Sequence, residues 1–273
     1  MLIKPDALTH WINHFYGYGS WQASFWFVAH EESGGDLPEE VAEKLDHFHS
    51  EYRAAKSPTL CDLRTAYQKV GFWWEGPKAD QFESRFDFRF GAQAQLNKVW
   101  ENLIRFRCGY QGLELPEMLD YQRQQFANSS SEEALLRLFP LPGATHHGWN
   151  YNWLDLPSEF SFLKSRTRYE EHLYHRRIGE LLKNIENHQP EVVVMYGMSN
   201  INALKRYVTD FYPQARFTLV QSIKQKIPQH HRAQINGTKL LVTTQIPALR
   251  HRRVETGFDW YAFGEFARSN LEG

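Results

Sequence analysis

His30-Glu31-Glu32, followed directly by Ser33-Gly34-Gly35-Asp36, is the part of this 273-residue chain best furnished for chemistry. An apolar run, Phe25-Trp26-Phe27-Val28-Ala29, stops just before it, and Pro38-Glu39-Glu40-Val41 opens a helix after it. This is the strand–loop–helix order of an α/β site, in which a buried strand delivers polar residues into a crevice at its carboxyl end. Neighbouring side chains on extended backbone point to opposite sides, so one of Glu31 and Glu32 faces that crevice. A carboxylate held there can orient a water or stabilise positive charge developing on a sugar. A metal site at His30, Glu31 and Asp36 is the weaker reading, because the His-Glu-x-x-His spacing is missing and His30 stands alone. Asp36 reads better as a helix N-cap.

Other stretches carry chemistry with a plainer reading beside it. Tyr16-Gly17-Tyr18-Gly19 lets a ligand approach the backbone and offers stacking faces, and it serves equally as a turn packed by two tyrosines. In His146-His147-Gly148-Trp149-Asn150-Tyr151, Asn150 has the donor and acceptor needed to read a base edge, with Trp149 and Tyr151 able to stack on it. The same residues also suit an aromatic loop that plugs a sheet. Arg250-His251-Arg252-Arg253 suits phosphate contacts, and Ile246-Pro247 ahead of it suits a rigid wedge between base steps. A solvated charge run is the alternative. Gly197-Met198-Ser199-Asn200 reads as a tight strand-to-helix turn without Walker spacing.

These residues need a frame to hold them. The length fits one domain with a sizeable core. The formal charge is −1, but residues 1–150 are acidic by about six charges and residues 151–273 basic by about five, so a near-neutral total hides a basic part. The only two cysteines, Cys61 and Cys108, cannot ligate an iron–sulfur cluster or build a disulfide framework. No apolar run reaches membrane-spanning length, and the first residues do not read as a signal peptide, so a soluble cytoplasmic protein is expected.

Periodicity predicts helices over residues 37–52, 92–106, 113–126, 169–188, 200–207 and 258–267, and strands over 25–28, 135–142, 192–196, 217–220 and 239–244. Residues 11–16 read as a helical stub that Gly17-Tyr18-Gly19 closes. Strands alternating with helices predict a three-layer α/β/α sandwich around a mostly parallel sheet, one domain over 1–273, with a helical layer and insertion over roughly 59–127. Right-handed crossovers then put the ends of the main strands on one edge.

In order and spacing the motifs resemble the uracil-DNA glycosylase superfamily. Phe25 to Asp36 resembles the first strand and its water-activating loop. Phe139-Pro140-Leu141-Pro142 is similar to the Pro-Leu-Pro strand end, and Glu191 to Gly197 to the apolar strand and glycine turn. Lys239 to Ala248 is similar to the last strand, which usually leads into His-Pro-Ser. The resemblance implies hydrolysis of the bond between a base and deoxyribose. Glu31 aligns with the water-activating position and Glu32 lies next to it. Tyr18, His30, Trp149, Asn150 and Tyr151 are the implied base pocket. Ile246, Pro247, Arg250, His251, Arg252 and Arg253 are the implied DNA contacts. DNA is the partner, with no cofactor, metal, iron–sulfur cluster or membrane expected. Glutamates replace the usual first-loop residues, and Ile246 stands in place of the usual histidine. These departures point to a divergent branch acting on a modified pyrimidine, with a role in defence against phage DNA. The alternatives are a binding relative without catalysis and a metal-dependent hydrolase.

Overall fold

The computed structural model describes residues 3–35, 37–70, 83–143, 148–152, 154–223, 226–248 and 258–269. Its strands are β1 (Phe15–Tyr18), β2 (Phe25–Ala29), β3 (Thr59–Cys61), β4 (Glu133–Arg137), β5 (Val192–Tyr196), β6 (Thr218–Val220), β7 (His230–Ile235) and β8 (Thr238–Val242). The helices are α1 (Pro5–His14), α2 (Pro38–Glu51), α3 (Leu63–Lys69), α4 (Arg85–Phe90), α5 (Lys98–Gln111), α6 (Met118–Gln124), α7 (Arg166–His188), α8 (Ile201–Phe211) and α9 (Trp260–Ser269). The strands form one eight-stranded sheet in the order β3-β1-β4-β2-β5-β8-β7-β6.

The middle of the sheet, β4-β2-β5-β8, is parallel throughout. Every residue of those strands is buried, as a sheet covered on both faces requires. From one side Phe106 of α5 packs edge-on against Phe27 at 5.9 Å. From the other, His188 of α7 lies 6.2 Å from Trp26. Consecutive β2 residues thus meet helices on opposite faces, which gives the expected three layers. Antiparallel strands flank this middle: β1 beside β4, and β7 and β6 beyond β8.

Several elements differ from the sequence reading. Residues 15–18 are a strand and not a helix end, because β1 is stabilised by pairing with β4 and β3 from distant parts of the chain. A Cβ at Gly17 would sit 2.0 Å from the Leu135 carbonyl, so only glycine permits that approach. Within residues 59–127, Thr59–Cys61 joins the sheet as β3 and α5 covers it. α5 starts later than its periodicity suggested, because the Asn97 side chain caps the amides of Val99 and Trp100. β7 was not anticipated, since His230-His231-Arg232-Ala233-Gln234-Ile235 has no apolar run and becomes a strand only against β8.

Arg177 of α7 ties these layers together. It is 1 % exposed, and its guanidinium donates to the carbonyls of Phe15, Arg137 and Leu138 at 2.8–2.9 Å. It also lies 3.5 Å above the Tyr16 ring. Arg177→Met leaves three buried carbonyls unsatisfied and should cost about 3 kcal/mol or more in urea unfolding. His230, 1 % exposed, has its pKa dropped by burial to about 4. The unfolded chain takes up that proton near pH 6.5 and the folded chain only near pH 4. The stability this group contributes is therefore complete above about pH 6.5 and is lost as pH falls through about 4, by about 3 kcal/mol in all. Urea unfolding across that range should show the loss, and His230→Phe should remove this component.

Candidate active site

The loop after β2 is built jointly with the chain that leaves β4. Leu138 and Phe139 amides donate to the carbonyls of Ala29 and His30. Gly143 donates to Glu32 at 2.7 Å, and Gly34 and Gly35 donate back to Gly143 at 3.2 and 3.1 Å. The glycines are required by contact: a Cβ on Gly35 would fall 2.2 Å from the Pro142 carbonyl, and Gly34 has φ 110°. The two strand ends are thereby locked side by side at the carboxyl edge of the parallel strands, where an α/β sheet places its ligand.

This backbone sends the adjacent glutamates in different directions. Glu31 forms an ion pair with Arg166, at the start of α7. Arg166 also donates through Nε to Glu170 at 3.0 Å, and Glu170 Oε1 lies 3.1 Å from His30 Nε2. Burial lowers the Arg166 pKa, but Glu31 and Glu170 outweigh it and raise the value. Burial likewise raises Glu170, and its hydrogen bonds to His30 and Arg166 reverse the direction and lower it. The result is a connected run, Glu31–Arg166–Glu170–His30, along one side of the loop.

Glu32 turns the other way and is 6 % exposed. It accepts hydrogen bonds from the Tyr18 hydroxyl at 3.1 and 3.3 Å and lies 3.9 Å from Lys44 Nζ of α2. Burial, then the charge of Glu32, push the Tyr18 pKa well above its ordinary value, so the phenol stays a donor. Burial works against a charged Lys44, yet Glu32 and Glu40 together raise its pKa. Arg137, at the end of β4, is buried with its Nε unpaired. Burial lowers its pKa, and Tyr196 and Glu32 lead the groups that reverse this and raise it.

Two clefts open on either side of the loop. One lies between α7 and α8 and is lined by His30, Phe139, Tyr174 and Met198. The other lies between α2 and α3 and is lined by Tyr18, Glu40, Lys44, Tyr52 and Tyr67.

The remaining sequence candidates fall into three groups. Trp149, Asn150 and Tyr151 lie close to the loop, and each donates one hydrogen bond to a backbone carbonyl: Asn150 to Gly35 at 2.9 Å, Tyr151 to Pro142 at 2.8 Å, and Trp149 to Leu163. Trp149 and Tyr151 rings lie 4.8 Å apart, so the segment braces the loop from below. Ile246 is 37 % exposed and rests on the Gly197 turn, where an added Cβ would come 3.3 Å from it. Pro247 is buried. Arg250, His251, Arg252 and Arg253 lie outside the described residues, as do Asp36, His146 and His147. Among the described residues no three His, Cys, Asp or Glu side chains converge in a way that could hold a metal ion, and Cys61 and Cys108 are free and buried. No described helix is long and apolar enough to cross a membrane.

Sequence reasoning missed Lys44, Glu40, Arg137, Arg166 and Glu170. Glu40–Lys44 and Arg166–Glu170 are i,i+4 pairs, a visible signal that ordinarily denotes surface ion pairs. Only the packed fold shows that these pairs meet the glutamate loop.

The fold and site define an α/β protein with a paired-carboxylate loop at the carboxyl edge of its parallel strands. Compared with protein-family models, curated proteins and solved structures, the chain gives no significant match.

A Cβ on Gly143 would stand 2.0 Å from Glu31 Oε1. Gly143→Ala should therefore push the Glu31 carboxylate off Arg166 while leaving the fold intact. A crystal structure of the variant, with a thermal melt as control, checks both parts.

Proposed function

We propose that this protein is a DNA glycosylase that hydrolyses the bond between a modified pyrimidine and deoxyribose, acting inside the cell on foreign DNA such as that of phages. The observation that carries the reading is the division of Glu31 and Glu32 at one strand end. Glu31 keeps 19 % of its side chain open to solvent beside the cationic Arg166, while Glu32 is enclosed against Tyr18 and Lys44. One carboxylate can reach water and a sugar, and the other holds the wall beside it.

In this reaction the bond from C1′ to the base nitrogen breaks and its electron pair leaves with the base. Positive charge develops on the sugar, and the Glu31 carboxylate stabilises it electrostatically. Glu31 then orients a water whose oxygen adds to C1′. The water gives up one proton through Glu31 to solvent, and the departing base takes up one proton. An enclosed base site is needed because the target atom is unreachable inside a stacked duplex. The exposed Ile246, at the same edge beside Gly197, supports a wedge role in holding the duplex open.

Mass spectrometry of small molecules released from unmodified and heavily modified DNA tests the reading. Wild-type protein should release one base, and Glu31→Gln should lower the rate by about 10²–10⁴-fold with DNA binding retained. Absence of release from every DNA, or a Glu31→Gln variant as fast as wild type, overturns it.

A further inference from the structure

The basic part of the chain gathers at one edge of the sheet, where β6 is the last strand. Two grooves adjoin there. One, on the side of α8, is lined by Lys205, Arg206, Asp210 and Arg216. The other, between β7 and α9, is lined by Arg216, Arg232 and Lys239. Lys239 is buried and gives its ammonium to the Tyr110 hydroxyl and the Ala267 carbonyl, so it takes no part in the surface. Among the described lining residues, that leaves four accessible cations against one carboxylate. Lys98, Arg105 and Lys183 pair with glutamates on their own helices. Lys205, Arg206 and Arg216 lie within ion-pair distance of no described carboxylate, Asp210 included. Arg216 is also held in position. One of its guanidinium nitrogens donates to the carbonyls of Pro213 and Ala215 at 2.6 and 3.0 Å, and the other two keep their donors for a ligand. Burial, then the charge of Lys205, lower the His231 pKa, so the cations of α8 reach over β7. Edge strands are commonly shielded by charges of their own. β6 carries none: it is Thr218-Leu219-Val220, and shielding does not account for cations on α8.

We propose that this edge is a docking surface for the phosphodiester backbone of duplex DNA, contacted by Lys205, Arg206 and Arg216, with Arg232 at its far side. The choice of DNA as the polyanion rests on the glycosylase reading; the charge complementarity to a chain of phosphates does not. The surface begins at the edge that carries the glutamate loop. Ala29 lies opposite Tyr196, Met195 opposite Val242, Val242 opposite His231, and His230 opposite Val220. From β2 to β6 is four strand spacings, about 19 Å, the rise of about five or six base pairs. A duplex engaged at Glu31 therefore reaches these cations to one side of its target. Contacts of this kind carry no sequence information; they hold the duplex in register while another part of the protein meets the base.

The test is a salt titration of the full chain binding a short fluorescent duplex of unmodified DNA, read by anisotropy. The triple variant Lys205→Gln, Arg206→Gln, Arg216→Gln should lower the slope of log affinity against log salt by about three, since each phosphate contact contributes about 0.9. It should weaken binding at low salt by about tenfold or more, equally for unrelated sequences. Arg53, Lys56 and Lys69 are exposed on either side of β3, at the opposite edge of the sheet. Arg53→Gln, Lys56→Gln, Lys69→Gln removes the same net charge there and should leave the slope within about one of wild type. Circular dichroism and a thermal melt confirm that both variants are folded. An unchanged slope in the first variant, an equal fall in the second, no binding to the duplex at low salt, or tighter binding to duplex RNA than to DNA overturns the proposal. Base release is measured separately. If the edge variant shows the expected losses and no DNA releases a base, the docking surface stands and the glycosylase reading falls. If Glu31-dependent release is seen while the edge variant binds as wild type does, the surface falls and the glycosylase reading stands.

Discussion

A buried guanidinium holds the working edge of this protein in place. Arg177 spends its donors on three carbonyls that belong to the start of β1 and the exit of β4. A charge placed where water cannot reach it must find such partners, and carbonyls at strand ends need donors because the ladder no longer supplies them. The two requirements meet in one side chain. α7 is thereby anchored to the segment that continues from Leu138 to Gly143, and that segment is the one hydrogen-bonded to the glutamate loop. Arg166, one helix face and about three turns away on the same α7, reaches Glu31 because Arg177 fixes where the helix lies.

The loop itself turns a single backbone alternation into two electrostatic environments. Glu31 joins a line of polar contacts with Arg166, Glu170 and His30. Glu32 enters a separate group with Lys44, Glu40 and Arg85. The second group balances two carboxylates with two cations at close range, which is how ionisable side chains are tolerated at low exposure. The separation also assigns each cleft one glutamate or its neighbour, so the loop acts as a partition between α7–α8 on one side and α2–α3 on the other.

Much of this was legible in the residues. The apolar runs of β2 and β5 are continuous, and β8 carries Leu240-Leu241-Val242, because parallel strands are buried on both faces, and such runs need no context to be read. The position of Glu31 and Glu32 directly after such a run located the loop, and alternation of side chains predicted their divergence. β1, β3 and β7 were not legible, since short or polar strands are stabilised by partners remote in sequence. The loop at 149–151 shows what sequence leaves out of a site: each of Trp149, Asn150 and Tyr151 donates one hydrogen bond to a backbone carbonyl that lies far from it or unpredictably near it in the chain.

The sequence by itself determined the layer order, the main strands and the loop that carries the carboxylates, because these follow from local periodicity and from glycines at forced close approaches. Only the tertiary structure decided which charged residues serve that loop. Glu40 and Lys44, or Arg166 and Glu170, look in the chain like solvated helix pairs. Their burial, and hence the strength and direction of their interactions, depends on which helix face the sheet covers, a property that no local pattern of charges contains.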